Sequence, residues 1–391
     1  VAAGGSSPIK VLIKSPYSIY SGYGQDGWGL ARALVRWGAD VYLQPTWLDV
    51  PVPPDLAPLL LKTLQAPFDL TINHWSPDQL GLRVEARRCT RLAVAWTMWE
   101  FGSLKPVCKG RSTLRERLKW YDLVLGYDPV SLASLEPYIP AHVARGILLG
   151  GFDAGNWRPV ERDWHGEQFG FAMHGALNNR KAPYTVLQAH LELREDDRAY
   201  RDQARLTFHT TTPPLFPELE GLLNADGDKR VRIHMDTWTD DYLKAFYAAQ
   251  HCLVYPSQGE GKNVPCLEFM STGGTVIHTR RGGPEMWLSG DVGWEVPYTL
   301  SPLIAKVPDG AAGAKVSVAD LKAVMFEVFT HRDEARRRGR RAAELIPSML
   351  DWSVVVEDLF RRICDYCGHH GQIIYDLAMR CRREDELELS R

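Results

Sequence analysis

No apolar run in the 391-residue chain approaches the ~20 residues that a spanning helix needs, so nothing in it reads as a transmembrane segment. There is no dense cysteine framework either. Seven cysteines (Cys89, Cys108, Cys252, Cys266, Cys364, Cys367, Cys381) lie scattered, which excludes a secreted disulfide scaffold and suits a reducing cytoplasm. Charge of one sign is not in excess: the formal net charge is −2, which excludes a global basic field that would pull the chain onto DNA or acidic lipid. The start, Val1 to Pro8, lacks the basic and apolar parts of a signal peptide. It also lacks an initial Met and reads as a processed or appended end. No internal short-period repeat is visible. What remains is an ordinary globular composition, 45% hydrophobic and 24% charged, long enough for two or three domains with large cores. Thirteen tryptophans are many for this length.

Short apolar runs alternate with amphipathic stretches along the first half. Strands are predicted at Lys10 to Lys14, Asp40 to Gln44, Leu70 to His74, Leu92 to Trp96 and Leu123 to Gly126. A Gly-rich turn after the first strand leads into a helix from about Gln25 to Trp37, with Leu30, Leu34 and Trp37 on one stripe. Gly150 to Pro159 has the turn chemistry of a linker. The alternation then restarts with strands at Phe169 to His174, Arg205 to Thr210, Val231 to His234, Cys252 to Tyr255 and Thr275 to His278, and a helix at Ala182 to Arg194. Helices at Leu321 to Thr330, Asp333 to Ile346 and Trp352 to Tyr366 end the chain, followed by a charged tail. Strands alternating with helices imply parallel sheets covered on both faces. Two such halves on a hinge imply a cleft, and open α/β sheets bind ligands at the carboxyl ends of their strands.

The most informative stretch runs from Tyr255 to Gly274, YPSQGEGKNVPCLEFMSTGG. A buried strand enters a Gly-containing loop. A helix starts near Asn263 or Val264 and stops at Gly273-Gly274. The leading amides of that helix suit a phosphate. Glu260 and Glu268 suit hydroxyls, one on a transferred sugar and one on a ribose. This stretch resembles the retaining GT-B glycosyltransferases of family 4 (glycosyl transferases group 1), whose E-x7-E element reads PS-x-x-E-G-x-x-x-x-x-x-E-x-M-x-x-G. The resemblance implies an α/β fold of two Rossmann-like domains facing across a cleft. It implies that Glu260 binds the donor sugar, that Glu268 binds the ribose, and that the backbone of Gly261, Lys262, Asn263 and Val264 lies over the phosphates. The family usually has an aromatic residue and a glycine where Lys262 and Asn263 stand.

A second segment, FGFAMHGALNNRKAP from Phe169 to Pro183, resembles the family's strand-G-R-x-x-x-x-K-G element, whose cations bind the donor diphosphate. Lys181 matches. Ala176 replaces the usual Arg after the glycine, so Arg180 is expected to supply that charge, beside His174 and Gly175. Fixed cations stabilise a departing diphosphate without a metal. A third donor loop, at His234 to Leu243, offers Trp238 or the backbone near Met235 to the base, and Thr239 as a helix cap.

On the first half, Gly22 and Gly24 in SGYGQDGW occupy the place of the family's Gly-rich loop near the donor phosphate and acceptor. Trp99 stands roughly where relatives carry a His, and Glu100 is the neighbouring acid that would hold or polarise the acceptor hydroxyl. Tyr17, Tyr20, Tyr23, Trp28, Trp47, Trp75, Trp96 and Trp99 cluster near predicted strand ends. Some of them offer faces to sugar rings or bases, and many belong to the core. Two other signals are set aside. Cys364, Cys367, His369 and His370 have metal-like spacing, yet the first lies on a helix that packs well without metal. The basic run Arg336 to Arg341 is diluted by Asp333, Glu334 and Glu344.

The expected protein is thus a cytoplasmic hexosyltransferase with a nucleotide sugar as co-substrate, no metal and no other cofactor. Its expected domains are an acceptor domain at 1–152, a donor domain at 153–346, and a segment at 347–391 whose helix packs back toward the first. The acceptor stays open among a glycan, a protein side chain, a lipid-linked sugar and a hydroxylated DNA base. A sugar-nucleotide epimerase and a non-catalytic sugar-nucleotide-binding subunit are the alternatives.

Overall fold

The computed structural model describes residues 7–18, 21–49, 51–60, 62–80, 87–100, 103–104, 112–210, 231–236, 239–302 and 311–389, with side chains up to 382. Two compact units divide the chain: Val1–Asp153 together with Leu350–Arg391, and Ala154–Met349. Each unit holds one six-stranded parallel sheet.

The first unit contains β1 (Lys10–Tyr17), β2 (Asp40–Leu48), β3 (Phe68–His74), β4 (Thr90–Thr97), β5 (Leu123–Gly126) and β6 (Ala144–Ile147), in the order β2-β1-β3-β4-β5-β6. The inner strands are buried along nearly their whole length, as strands covered on both faces must be. Numbering only helices of seven residues or more, the unit's helices are α1 (Gly22–Arg36), α2 (Pro129–Leu135), α8 (Trp352–Tyr366) and α9 (Gly368–Leu389). Val355, Val356, Leu359, Phe360 and Ile363 form the buried stripe of α8, and Phe360 stacks on Trp37 with ring centroids 5.4 Å apart. Backbone bonds between Phe152 and the Leu350–Trp352 turn fasten this returning segment.

The second unit contains β7 (Phe169–His174), β8 (Ala204–Thr210), β9 (Val231–Met235), β10 (Cys252–Tyr255), β11 (Thr275–His278) and β12 (Trp294–Glu295), in the order β12-β11-β10-β7-β8-β9. An antiparallel hairpin pairs β13 (Thr299–Pro302) with β14 (Ala312–Lys315). Its helices are α3 (Pro183–Asp196), α4 (Asp240–Ala248), α5 (Val264–Ser271), α6 (Val318–Thr330) and α7 (Arg332–Leu350), the last ending at the boundary between units. Two similar parallel α/β halves are what the alternation predicts.

The structure departs from the sequence reading at several ends. Helix α1 starts at Gly22 rather than near Gln25, because the Ser21 side chain accepts from Gly24 N at 3.1 Å and caps it. Gly22 and Gly24 therefore lie in a helical first turn instead of a loop. Strand β12 escapes prediction because it has two residues, and β6 because Arg145 and Gly146 interrupt its apolar run. The tail after Gly368 is helical, as far as Leu389.

One residue binds two helix ends of the second unit. Arg162, only 8% exposed, donates to the carbonyls of Tyr247 and Gln250, at the end of α4 and just past it. It also donates to the carbonyl and hydroxyl of Thr272, the C-cap of α5. Helix ends leave carbonyls without intrahelical partners and carry partial negative charge, so a buried cation suits both. Burial lowers the Arg162 guanidinium to about 10, and it stays charged at neutral pH. Lysine cannot span this fork. Arg162→Lys should lower the unfolding free energy of the second unit by about 2–4 kcal/mol in chemical denaturation, and an unchanged midpoint would remove the clamp from the account.

Candidate nucleotide-sugar site

Counted from β7, the second sheet has the strand order of a doubly wound nucleotide-binding fold, and the order reverses between β7 and β10. Ligands of such sheets sit beyond the carboxyl ends of the strands at that reversal. The loops leaving β7 and β10 are the two segments that carry the charged motifs. The β7 loop turns at Gly175, whose φ of +110° is a glycine conformation. Asn178 then caps a short turn by accepting from Lys181 N at 3.2 Å, and Pro183 opens α3. The β10 loop bonds directly to it: Gln258 N donates to Arg180 O at 2.8 Å, and the Arg180 guanidinium donates to Gly259 O.

Glu260 lies at this junction with 4% exposure. Its carboxylate is 3.0 Å from Arg180 Nη1 and 3.6 Å from Lys181 Nζ, and it accepts from Ser257 Oγ at 3.0 Å. Burial alone would raise its pKa. The two cations outweigh burial and bring the carboxyl down to about 2. Arg180, Lys181 and Glu260, expected to serve diphosphate and sugar separately, are thus paired with one another, with one positive charge in excess. Removing the Glu260 side chain would leave two facing cations without a counter-charge, so Glu260→Ala is not a structurally silent change.

Glu268 is reached through a second network. Tyr247 on α4 donates its hydroxyl proton to Glu268 Oε2 at 3.2 Å. A phenol has one proton, so the His174 Nδ1 that lies 2.9 Å from the same oxygen must donate to it. His174 is kept neutral by burial first, and then by neighbouring His209 and Lys181, which hold its pKa well below the usual value. Tyr255 bonds through its hydroxyl to both the N–H and the carbonyl of His174, and Lys181 Nζ lies 5.2 Å from the centre of the Tyr255 ring.

Helix α5 begins between these carboxylates. Asn263, its N-cap residue, has φ 61°, the left-handed region that glycine favours and asparagine tolerates. The approach of the chain is fixed by a second turn after β11. Gly283 N donates to Glu260 O at 2.9 Å, and a Cβ on Gly283 would stand 1.8 Å from Gly261 O. Lys262 is buried, and its carbonyl accepts from Trp287 Nε1 at 3.1 Å. Gly261, Lys262, Asn263 and Val264 therefore form one compact approach to the helix. Sequence reasoning missed Ser257, Tyr247, His278 and the Gly282-Gly283 turn. The dipeptide after a predicted strand was the available signal for the last.

In the first unit, Gly22 and Gly24 follow β1, and Glu100 follows β4. A Cβ on Gly24 would lie 2.3 Å from Ser18 N, so close packing of helix on strand accounts for that glycine. Glu100 acts on Tyr23, whose pKa is raised first by burial and then by this carboxylate's charge. Trp99 is fixed by Nε1 donating to Ser103 O at 2.7 Å. Tyr17, Trp28 and Trp96 are core residues, and Trp47 is half exposed. A buried chain that sequence reasoning did not find links Ser15 Oγ to His74 Nδ1 at 2.9 Å, His74 Nε2 to Tyr127 OH at 2.6 Å, and Tyr127 OH to Asp26 Oδ2 at 2.8 Å. Trp238 and Tyr20 lie outside the described residues.

Residues 168–307 match the family model of glycosyl transferases group 1. In structure, the chain is similar to sucrose-phosphate synthase from Thermosynechococcus elongatus, with TM-score 0.64 and 16% identity over 91% of this chain and 99% of that one. It is similar to Alr3699/HepE of Anabaena in complex with UDP-glucose, with TM-score 0.60 and 14% identity over 91% of this chain and 100% of that one. It is also similar to a glycosyltransferase from Rickettsia africae, with TM-score 0.63 and 12% identity over 93% of this chain and 100% of that one. The fold is GT-B. No curated protein matches the chain in sequence. Within this GT-B architecture the family match lies inside the unit that holds Glu260, Glu268, Arg180 and Lys181. No helix among the described residues is long and apolar enough to cross a membrane.

The ion triad predicts an acid response. A carboxyl lowered from its usual 4.5 to about 2 stabilises the folded state above pH 4.5, and that contribution is lost as pH falls toward 2. Glu260→Gln should be less stable than wild type at neutral pH by about 3 kcal/mol, and the gap should close between pH 4.5 and 2 in denaturation series. A gap independent of pH would show that the carboxylate's charge does not hold the junction.

Proposed function

We propose that the chain is a retaining hexosyltransferase that uses a UDP- or GDP-sugar and needs no metal. The observation that carries this reading is the Arg180–Lys181–Glu260 triad, with Lys181 and Glu260 buried and Arg180 half-buried, at the strand-order reversal beside the leading end of α5. It is a preformed site for a diphosphate joined to a polyol. The group 1 family match over 168–307 supports it, as does the likeness to structures described with UDP and UDP-glucose.

In this reading the diphosphate takes over Arg180 and Lys181, with the backbone of Gly261, Lys262, Asn263 and Val264 beside it. His174 and Gly175 line the β7 side. Glu260, relieved of part of its pairing, accepts hydroxyls of the sugar. Glu268 offers the carboxylate oxygen not bonded to Tyr247 to the ribose, and Trp238 is assigned to the base. The acceptor oxygen attacks the anomeric carbon from the face that the diphosphate leaves. The C–O bond to phosphate breaks, the new glycosidic bond forms, and the acceptor proton passes to the leaving phosphate oxygen. The two cations stabilise the charge that develops on that leaving group. Glu100 is assigned to the acceptor hydroxyl, and Gly22, where a Cβ would meet nothing, to close backbone approach. The acceptor is a hydroxyl of a glycan, protein, lipid-linked sugar or modified base, and the protein works in the cytoplasm.

Lys181→Gln should weaken binding of UDP or GDP about 10- to 100-fold in titration calorimetry while leaving the free nucleoside unaffected. Glu260→Gln should abolish release of nucleoside diphosphate from the preferred nucleotide sugar. Wild-type release by that variant would exclude Glu260 from the chemistry.

A further inference from the structure

Asn263 stands where the resembled motif has glycine, and a side chain here adds a group that the motif lacks. His278, at the end of β11, fixes how that side chain is turned. Its Nδ1 lies 2.7 Å from Thr279 O, an atom that only accepts, so Nδ1 carries the proton. Burial above all keeps His278 neutral, at about 4. Nε2 is then a lone pair, and it faces Asn263 Nδ2 at 2.9 Å. The amide must present its NH2 end to the ring, which leaves Oδ1 as the group not committed to His278.

That oxygen is buried on a residue with 5% exposure, and no described residue donates to it. A buried carbonyl without a donor is uncommon in a folded protein. We infer that Asn263 Oδ1 is a specificity contact of the donor subsite, accepting a hydrogen bond from the transferred sugar. This rests on the nucleotide-sugar reading above. An acceptor atom repels phosphate oxygens, so the diphosphate does not satisfy it. Asn263 follows Glu260, the residue assigned to the sugar, by three positions, and its partner His278 is among the groups that act on the Glu260 carboxyl, so the two side chains belong to one cluster. A sugar hydroxyl or an acetamido N–H supplies the missing donor.

The test compares binding of UDP-glucose, UDP-N-acetylglucosamine and GDP-mannose with binding of UDP and GDP, by calorimetry. Asn263→Gly keeps the backbone, because glycine adopts φ near +60° without strain. The variant should bind the preferred nucleotide sugar about tenfold more weakly and the matching nucleoside diphosphate as wild type does. The preferred sugar distinguishes hydroxyl from acetamido recognition. Asn263→Ala likewise removes the acceptor, should show the same sugar-dependent loss, and serves if the glycine variant does not fold. Equal losses for nucleotide sugar and nucleoside diphosphate, or no loss for either, overturn the inference. So does an alanine variant that binds the nucleotide sugar as wild type does. A wild type that binds neither UDP nor GDP overturns the nucleotide-sugar reading itself.

Discussion

The second unit depends on a carboxylate that stays ionised where water is nearly excluded. Such a group is tolerated only when its charge is met at close range. Arg180 and Lys181 meet it from a loop about eighty residues away in sequence, and the pairing welds the β7 loop to the β10 loop across the point where strand order reverses. In the proposed function the same three charges are preorganised for a ligand that carries both anionic and hydroxyl groups. Binding exchanges partners within an assembled site, so little has to be ordered at the moment of encounter.

Around this centre, neutral histidines act as fixed rotors. His174 donates toward Tyr247 and onward to Glu268, and His278 accepts from Asn263. Burial keeps both uncharged, so each ring nitrogen has one role and each amide or hydroxyl attached to it one orientation. Arg162 supports the same arrangement from below by holding the C-terminal ends of the helices that carry Tyr247 and Glu268.

Much of this was legible in the sequence, and for identifiable reasons. Strands buried on both faces appear as apolar runs, so Phe169 to His174, Cys252 to Tyr255, Thr275 to His278 and Leu123 to Gly126 were read with their true ends. The E-x7-E stretch announced its loop and helix. The pairing of Glu260 with Arg180 was not legible, because a periodic pattern does not record which loops meet. Nor was the role of Tyr247, which looks like any core aromatic of α4 until its hydroxyl is located. The glycines at 22 and 24 were read as a loop because composition signals small size without saying whether a ligand or a neighbouring strand requires it. Strand β12, of two residues, is below the length at which a pattern can be recognised, and β6 offers no apolar run because Arg145 and Gly146 occupy its middle.

Arg162 also bears on where the second unit can be cut. The family-matched segment opens at residue 168, whereas the compact unit opens at Ala154. Between them lie the guanidinium that ties two helix ends, Trp157 packed on Tyr247, and Trp164 edge-on to Phe169. A fragment trimmed to the homologous segment would expose those carbonyls and aromatic faces. The smallest portion suited to isolation is therefore set by this upstream strap, and its residues belong to the unit's interior as fully as any strand.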